Sequence, residues 1–275
     1  MLFRSRYADL LPDGPARDRA AATARSVAKL PGPLSLDGLG TIIGPDVEFV
    51  DHGPVGLPPS RGREAYLDSV RSFLELVDDT SNRVEDVLGL HPDAFLLRIT
   101  NFGTERASGG AFERPVLLLS VFDADGLATH WEFFDPDRDV DALARFDEVT
   151  GEPPPARFGT APSPGAERRI RRVRANAATA NAGRMDVAIA ALDADAIAAL
   201  YAPDAAGMEH HTGAARVDRR GSIFSYRSLL SAQNPTLRHE PLAILGDALA
   251  LCRVSTSASG YATGEFDVGD RKSVV

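Results

Sequence analysis

The sequence predicts an α+β protein of two tandem domains, each with N-terminal helices packed on a curved antiparallel sheet, the second copy truncated. Three observations predict it. The 275 residues are enough for two ordinary domains. The stretch TGEPPPARFGTAPSPGAERR is rich in Pro, Gly and Ala, follows neither a helical nor a strand period, and reads as a linker over 150–168. The segments on its two sides resemble each other in order and spacing. DGLGTIIGPDVEFVDH (37–52) lies over DAIAALYAPDAAGMEH (195–210), and VRSFLEL (70–76) over YRSLLSA (226–232). RVEDVLGLHPDAFLLRIT (83–100) lies over RHEPLAILGDALALCRVS (238–255), and GGAFE (109–113) over ATGEFD (262–267).

The elements follow in order. A first helix is expected over 15–30, and its counterpart in the second copy over 167–192; a short second helix follows each. A strand at 47–52 comes next. REAYLDSVRSFLELV then puts Tyr66, Val70, Phe73 and Leu74 on one stripe of a helix that begins near Arg63. Strands dominate the rest, at 83–90, 94–101, 112–122 and 127–134. HPD (91–93) and DADG (123–126) are the hairpin turns. The second copy, 169–269, stops after GEFDVG and lacks counterparts of RPVLLLSVF and ATHWEFFDPD, which predicts an open sheet edge and an unstable second domain. The opening LFRS and closing DRKSVV back-translate into sequencing-adapter DNA. Residues 1–5 and 270–275 are therefore expected to be foreign to the natural protein, and the chain to be a piece of a longer one.

Composition excludes several functions. Hydrophobic content of 44% and charged content of 25% are those of a globular protein. The net charge of −9 repels a phosphate backbone, so no nucleic-acid partner is expected. No apolar run is long enough for a membrane span. The single Cys252 rules out an internal disulfide and fits a cytoplasmic setting. An arginine- and alanine-rich usage points to a GC-rich genome. No phosphate loop, dinucleotide fingerprint or nucleophile elbow occurs, and no cofactor is expected.

Asp51 alternates with Val47 and Phe49, so the three share a face. On a buried face Asp51 is a candidate general base; facing water it caps the turn that follows. Thr129, Trp131 and Phe133 share one face of their strand, while His130 and Glu132 share the other, outer one, where they offer a dimer contact. MEHH (208–211) resembles a metal cluster with His239 as a third ligand. Adjacent strand residues diverge, however, and no second ligand pair stands at diagnostic spacing, so no metal is expected. The basic run from Arg168 to Arg174 reads as a solvated helix start or a domain-docking face.

PDVEFVDHGPVG…GREAY and FDADGLATHWEFFDPD together resemble the nuclear transport factor 2-like superfamily, in the flavour of the SnoaL-like domains of actinobacteria. The resemblance covers 15–148 in full and 169–269 in part. It implies cone-like domains and a concave ligand pocket lined by Phe49, Leu118, Trp131 and Phe133, with Glu209 as the second-copy counterpart of Asp51 and Tyr226 at a supporting tyrosine position. A more distant similarity to ketosteroid isomerase implies that Asp51 moves a proton beside a carbonyl. Of that family's two hydrogen-bond donors, one position carries Leu118 and the first helix has no tyrosine, so the resemblance implies a binding or regulatory module for an apolar small molecule. The alternative is a cofactor-independent isomerase, cyclase or dehydratase. A domain–domain pseudo-dimer or a homodimer is the expected assembly.

Overall fold

The computed structural model describes residues 2–53, 58–151, 171–209, 215–261 and 264–274. Two compact units emerge, Met1–Arg174 with Ala243–Gly246, and Ala175–Leu242 with Asp247–Val275. No helix among the described residues is long and apolar enough to cross a membrane.

The first unit runs α1 (Leu2–Leu10), α2 (Pro15–Val27), β1 (Gly32–Pro33), α3 (Leu36–Gly40), β2 (Ile43–Asp51), β3 (Ser60–Arg61), α4 (Arg63–Leu74), β4 (Val77–His91), β5 (Ala94–Glu105), β6 (Ala111–Phe122), β7 (Ala128–Phe134) and α5 (Asp139–Thr150). Pro15 starts α2, where its missing N–H costs nothing. The Ser35 hydroxyl caps α3 by accepting from the Gly38 N–H. α4 carries the expected stripe, with Tyr66 and Val70 buried. β4 begins six residues earlier than its apolar run suggested. Val77 and Asp78 pair with Glu105 and Thr104, and Asp79 at φ 51° absorbs a bulge in the register.

The strands form one seven-stranded sheet in the order β1-β4-β5-β6-β7-β2-β3. All its pairs are antiparallel except β2–β7, which is parallel, a correction to the all-antiparallel sheet expected. The inner face packs Val47, Phe49, Phe95, Leu97, Ile99, Val116, Leu118 and Trp131 against Tyr66 and Val70 of α4 and Leu39 of α3. The outer face packs Leu88, Leu96, Leu117, Leu119 and Phe134 under Ala142, Leu143 and Phe146 of α5. Neither α1 nor α5 was expected. Arg4, inside the stretch expected to be adapter-derived, is buried in α1 and donates to the carbonyls of His91, Pro92 and Ala94 at 3.0, 2.9 and 2.6 Å. Burial pushes its guanidinium pKa down to about 10.

The second unit runs α6 (Ala177–Ala190), α7 (Ala194–Ala199), β8 (Ala206–Glu209), β9 (Ala215–Asp218), α8 (Arg219–Leu230), β10 (Gln233–Leu245), β11 (Leu249–Tyr261) and β12 (Gly264–Val274). This is the same order as α2, α3, β2, β3, α4, β4, β5 and β6. α6 starts at Ala177, ten residues later than the helix expected from 167. Asn176 forms a reciprocal capping box with Thr179, which ends the preceding extended segment and sets the helix start. Met185, Ala188, Ile189 and Ile197 form the unit's apolar cluster. β10, β11 and β12 form one sheet and β8–β9 another. β12 continues to Val274 paired with β11 past a register shift between Val254 and Thr256, with Val254 opposite Arg271 and Leu251 opposite Val274, so the segment expected to be a foreign tail includes strand residues. Most of the linker expected at 150–168 lies outside the described residues.

Candidate functional site

Strand register builds the inner face of the first unit as four cross-strand rows. Residues directly opposite each other point to the same side, so each row is one line of side chains. The first is Leu90–Phe95–Ser120–Trp131–Phe49–Ser60. The second is Val87–Leu97–Leu118–Phe133–Asp51. The third is Val84–Ile99–Val116 and the fourth Asn82–Asn101–Arg114. Polarity therefore rises along the strands, from an aromatic row to an amide and guanidinium row.

Four of the pocket residues expected from sequence, Phe49, Leu118, Trp131 and Phe133, fall with Asp51 in the first two rows. Phe49, Leu118 and Trp131 are buried, and Phe133 is half-buried. The ring of Tyr66 reaches down from α4 between them, 4.9 Å from Phe49 and stacked at 5.5 Å on Trp131. Phe133 meets Phe49 edge-on at 5.6 Å. Burial alone pushes the Tyr66 phenol pKa up, so the group stays protonated at any working pH. Sequence reasoning looked for a tyrosine in the first helix and assigned Tyr66 only to the packing stripe of α4. Its place over Trp131 depends on the crossing of α4 over the sheet.

Asp51 does face inward, with its side chain 1% exposed. Its Oδ1 accepts the Gly53 N–H at 2.9 Å, which is the turn-capping arrangement, and its Oδ2 accepts from Arg114 at 3.2 Å. One side chain therefore both faces inward and caps the turn that follows. Five buried side-chain atoms lack a hydrogen-bond partner among the described residues: Thr23 Oγ1, Ser60 Oγ, Thr80 Oγ1, Ser120 Oγ and Trp131 Nε1. Three of the five, Ser60, Ser120 and Trp131, belong to the first row. A surface cleft of about 380 Å³ between α2 and the β6–β7 turn, lined by Arg25, Lys29, Thr41 and Asp125, shares no residue with these rows.

His52, one residue past Asp51, turns to the opposite face, as strand alternation requires. There it joins a cluster that sequence reasoning saw only in pieces. The Glu132 carboxylate, 2% exposed, is bonded by His52 Nε2 at 2.7 Å, by His130 Nε2, and by Arg145 Nε of α5 at 2.8 Å. Burial pushes the Glu132 pKa up, but the hydrogen bonds from His130, Arg145 and His52 outweigh it and hold the carboxyl at about 2. Glu48 lies 3.7 Å from His130, and Glu148 is 2.7 Å from Arg145. His130 and Glu132 lie on the outer face as expected, but α5 of the same unit covers Glu132. His-x-Glu on a strand is visible in sequence; the Arg145 that closes the cluster is not.

The second unit holds the remaining candidates. Tyr226 packs from α8 beside Tyr201 with ring centroids 6.2 Å apart, in the apolar cluster of that unit. Glu209 ends β8 opposite Ala215; the placement of its side chain, like His210 and His211, lies outside the described residues. His239, the third metal ligand considered, is bonded instead to Asp186 of α6, Nδ1 to Oδ1 at 2.6 Å. Among the described residues no group of three or more His, Cys, Asp or Glu has the geometry to hold a metal.

No family model and no curated protein matches the chain. Solved structures with nuclear transport factor 2-like, SnoaL-like and ketosteroid isomerase-like folds do resemble part of it. A putative SnoaL-like polyketide cyclase from Mesorhizobium loti shares 20% identity over 42% of this chain and 97% of its own, with a TM-score of 0.34. A hypothetical protein with a ketosteroid isomerase-like fold from Catenulispora acidiphila, solved with trimethylamine, shares 18% over 48% and 92%, with a TM-score of 0.34. A Mycobacterium tuberculosis protein solved with estradiol-17beta-hemisuccinate shares 16% over 44% and 94%, also at 0.34. At these values the likeness adds nothing to the chemistry of the rows.

Proposed function

We propose that the chain is a non-catalytic binding module for an apolar small molecule that carries a hydrogen-bonding oxygen, held on the inner face of the first unit. The observation that carries this reading is the first row itself, where Ser60 Oγ, Ser120 Oγ and Trp131 Nε1 stay buried and unpartnered among aromatic rings. A buried polar atom without a partner costs about 1–3 kcal/mol. Folded proteins keep few such atoms, and one face collecting three of them has a use for them. A ligand oxygen accepting from the indole N–H recovers part of that cost, and the Phe49, Tyr66 and Phe133 rings supply the apolar contact. Two features support binding over chemistry. Both Asp51 oxygens are already engaged, by Gly53 and Arg114. Leu118, its neighbour but one in the second row, has no proton to give a developing oxyanion.

The second reading is cofactor-independent isomerisation, cyclisation or dehydration with Asp51 as general base. Its support is the 1% exposure of the Asp51 side chain beside Phe133.

The test is a panel of rigid apolar ketones beside their parent hydrocarbons, read by thermal shift and by product analysis. The expected result is that a ketone raises the melting temperature of the unmodified chain and of Asp51→Asn alike, with no turnover. At a hundredfold excess over the dissociation constant the stabilisation is about 2.7 kcal/mol. Trp131→Phe, which keeps the ring and loses the N–H, weakens ketone binding about tenfold and leaves hydrocarbon binding unchanged. Turnover lost in Asp51→Asn establishes the second reading instead. Equal ketone and hydrocarbon binding removes the role given to the row.

A further inference from the structure

The basic run after the linker belongs to the first unit, which extends to Arg174. β1 covers β4 at Ser81 and Asn82, and among the described residues no strand lies beside the edge of β4 beyond Asp86. Residues 171–172 fill it. The Arg172 N–H donates to the Leu88 carbonyl at 2.6 Å, and Arg172 forms a parallel bridge with Gly89. Consecutive residues of an extended segment point to opposite sides, and here each side meets a carboxylate. Arg171 Nη1 donates to Asp86 Oδ1 at 2.6 Å and to the Val87 carbonyl at 3.0 Å, and both side chains of the ion pair are 8% exposed. Arg172 turns the other way and grips Asp147 of α5, its Nε 2.9 and 2.8 Å from the two oxygens and its Nη2 2.8 Å from Oδ2. Asp86 comes from the sheet and Asp147 from the helix packed on it, so the slot exists only where β4 and α5 meet. Gly89 keeps that junction tight: a Cβ there would stand 2.9 Å from the Phe146 ring of α5.

We propose that the open stretch of β4, with Asp86 and Asp147 on its two flanks, is a recognition slot for an extended segment bearing two consecutive arginines, which this chain fills in cis with Arg171 and Arg172. Backbone pairing to a strand edge supplies the general attachment, and the two carboxylates supply the selectivity. Lysine satisfies the Asp147 flank less well, because that contact uses the planar fork of guanidinium. The cis segment competes at the millimolar effective concentration of a tethered ligand, so an outside peptide enters only when the cis arginines let go.

The experiment uses the full chain and a fluorescent peptide of residues 168–175, RRIRRVRA. The control peptide carries alanine at the two central arginine positions and keeps the outer three, so it reports attraction to the acidic protein alone. The expected result is saturable binding of RRIRRVRA to the Arg171→Glu/Arg172→Glu chain, at least about tenfold tighter than to the unmodified chain and than the control peptide binds. Adding Asp86→Asn and Asp147→Asn removes that binding. Equal binding to the unmodified and charge-reversed chains overturns the proposal, and so does no binding to the charge-reversed chain. If charge reversal prevents folding, Arg171→Gln/Arg172→Gln serves with the same readout and the same two overturning outcomes.

Discussion

Glu132→Ala lowers the stability of the first unit by about 3–5 kcal/mol at neutral pH, the range for removing one partner from a buried charge cluster. The side chain is 2% exposed and is the common acceptor for His52, His130 and Arg145. Without it the Arg145 guanidinium keeps Glu148 on the helix surface as its one carboxylate partner among the described residues, and two imidazoles lose the acceptor that fixes them. Glu132→Gln keeps one carbonyl oxygen and the shape, so it costs less than Ala. Trp131 is the only tryptophan, so its fluorescence in a denaturant titration reads this unit alone. The same group sets an acid limb. The folded pKa is held at about 2 against 4.5 for the ordinary group, so the carboxylate contributes its stability above pH 4.5 and loses it as pH falls toward 2. The shift corresponds to about 3 kcal/mol across that window. Unmodified chain should lose this increment on acidification and Glu132→Gln should not. A variant within about 1 kcal/mol of the unmodified chain, with the same acid limb, removes the cluster from the account of stability.

Gly126→Ala is the second large effect. Gly126 closes the β6–β7 turn at φ +73°, and a Cβ built there stands 2.4 Å from the Ala22 carbonyl carbon and 2.5 Å from the Thr23 nitrogen of α2. Both are backbone atoms, so no side-chain rotation relieves the contact. Left-handed strain of about 1–2 kcal/mol and overpacking of about 1–3 kcal/mol together give roughly 3–4 kcal/mol. Gly126→Asn separates the two causes. Asparagine tolerates the left-handed conformation but brings the same Cβ, so it is expected to be as damaging as alanine. Gly109, at φ +68° with nothing within 4 Å, is the control: Gly109→Ala costs about 1 kcal/mol. If Asn rescues position 126, dihedral strain and not the approach of α2 is the cause.

Much of the first unit was legible because its signals are local. Alternation along VEFVDH put Val47, Phe49 and Asp51 on one shared face, and strand register places all three on the inner side. The stripe of Tyr66 and Val70 marked α4, and DADG marked the turn. The misreadings came where a distant partner outweighs local preference. The strand expected from Arg83 starts at Val77, because Val77 and Asp78 pair with β5 past a bulge at Asp79. The run from Arg171 looks like the start of a helix, yet Arg171 and Arg172 stay extended because Asp86 and Asp147 hold them.

The sequence by itself determined the α+β character, most strand positions of the first unit, and which residues of a strand share a face, because side-chain periods of 2 and 3.6 residues are properties of the backbone alone. Only the tertiary structure decided who meets whom on those faces. Arg114 reaches Asp51 across 63 positions, and His52 reaches Glu132 across 80. Tyr66 comes to lie on Trp131 through the crossing of a helix over a sheet. Those meetings depend on strand order, register and the packing of α4 and α5. These are set by the sum of many weak burial terms over the whole unit and leave no periodic mark in any one segment.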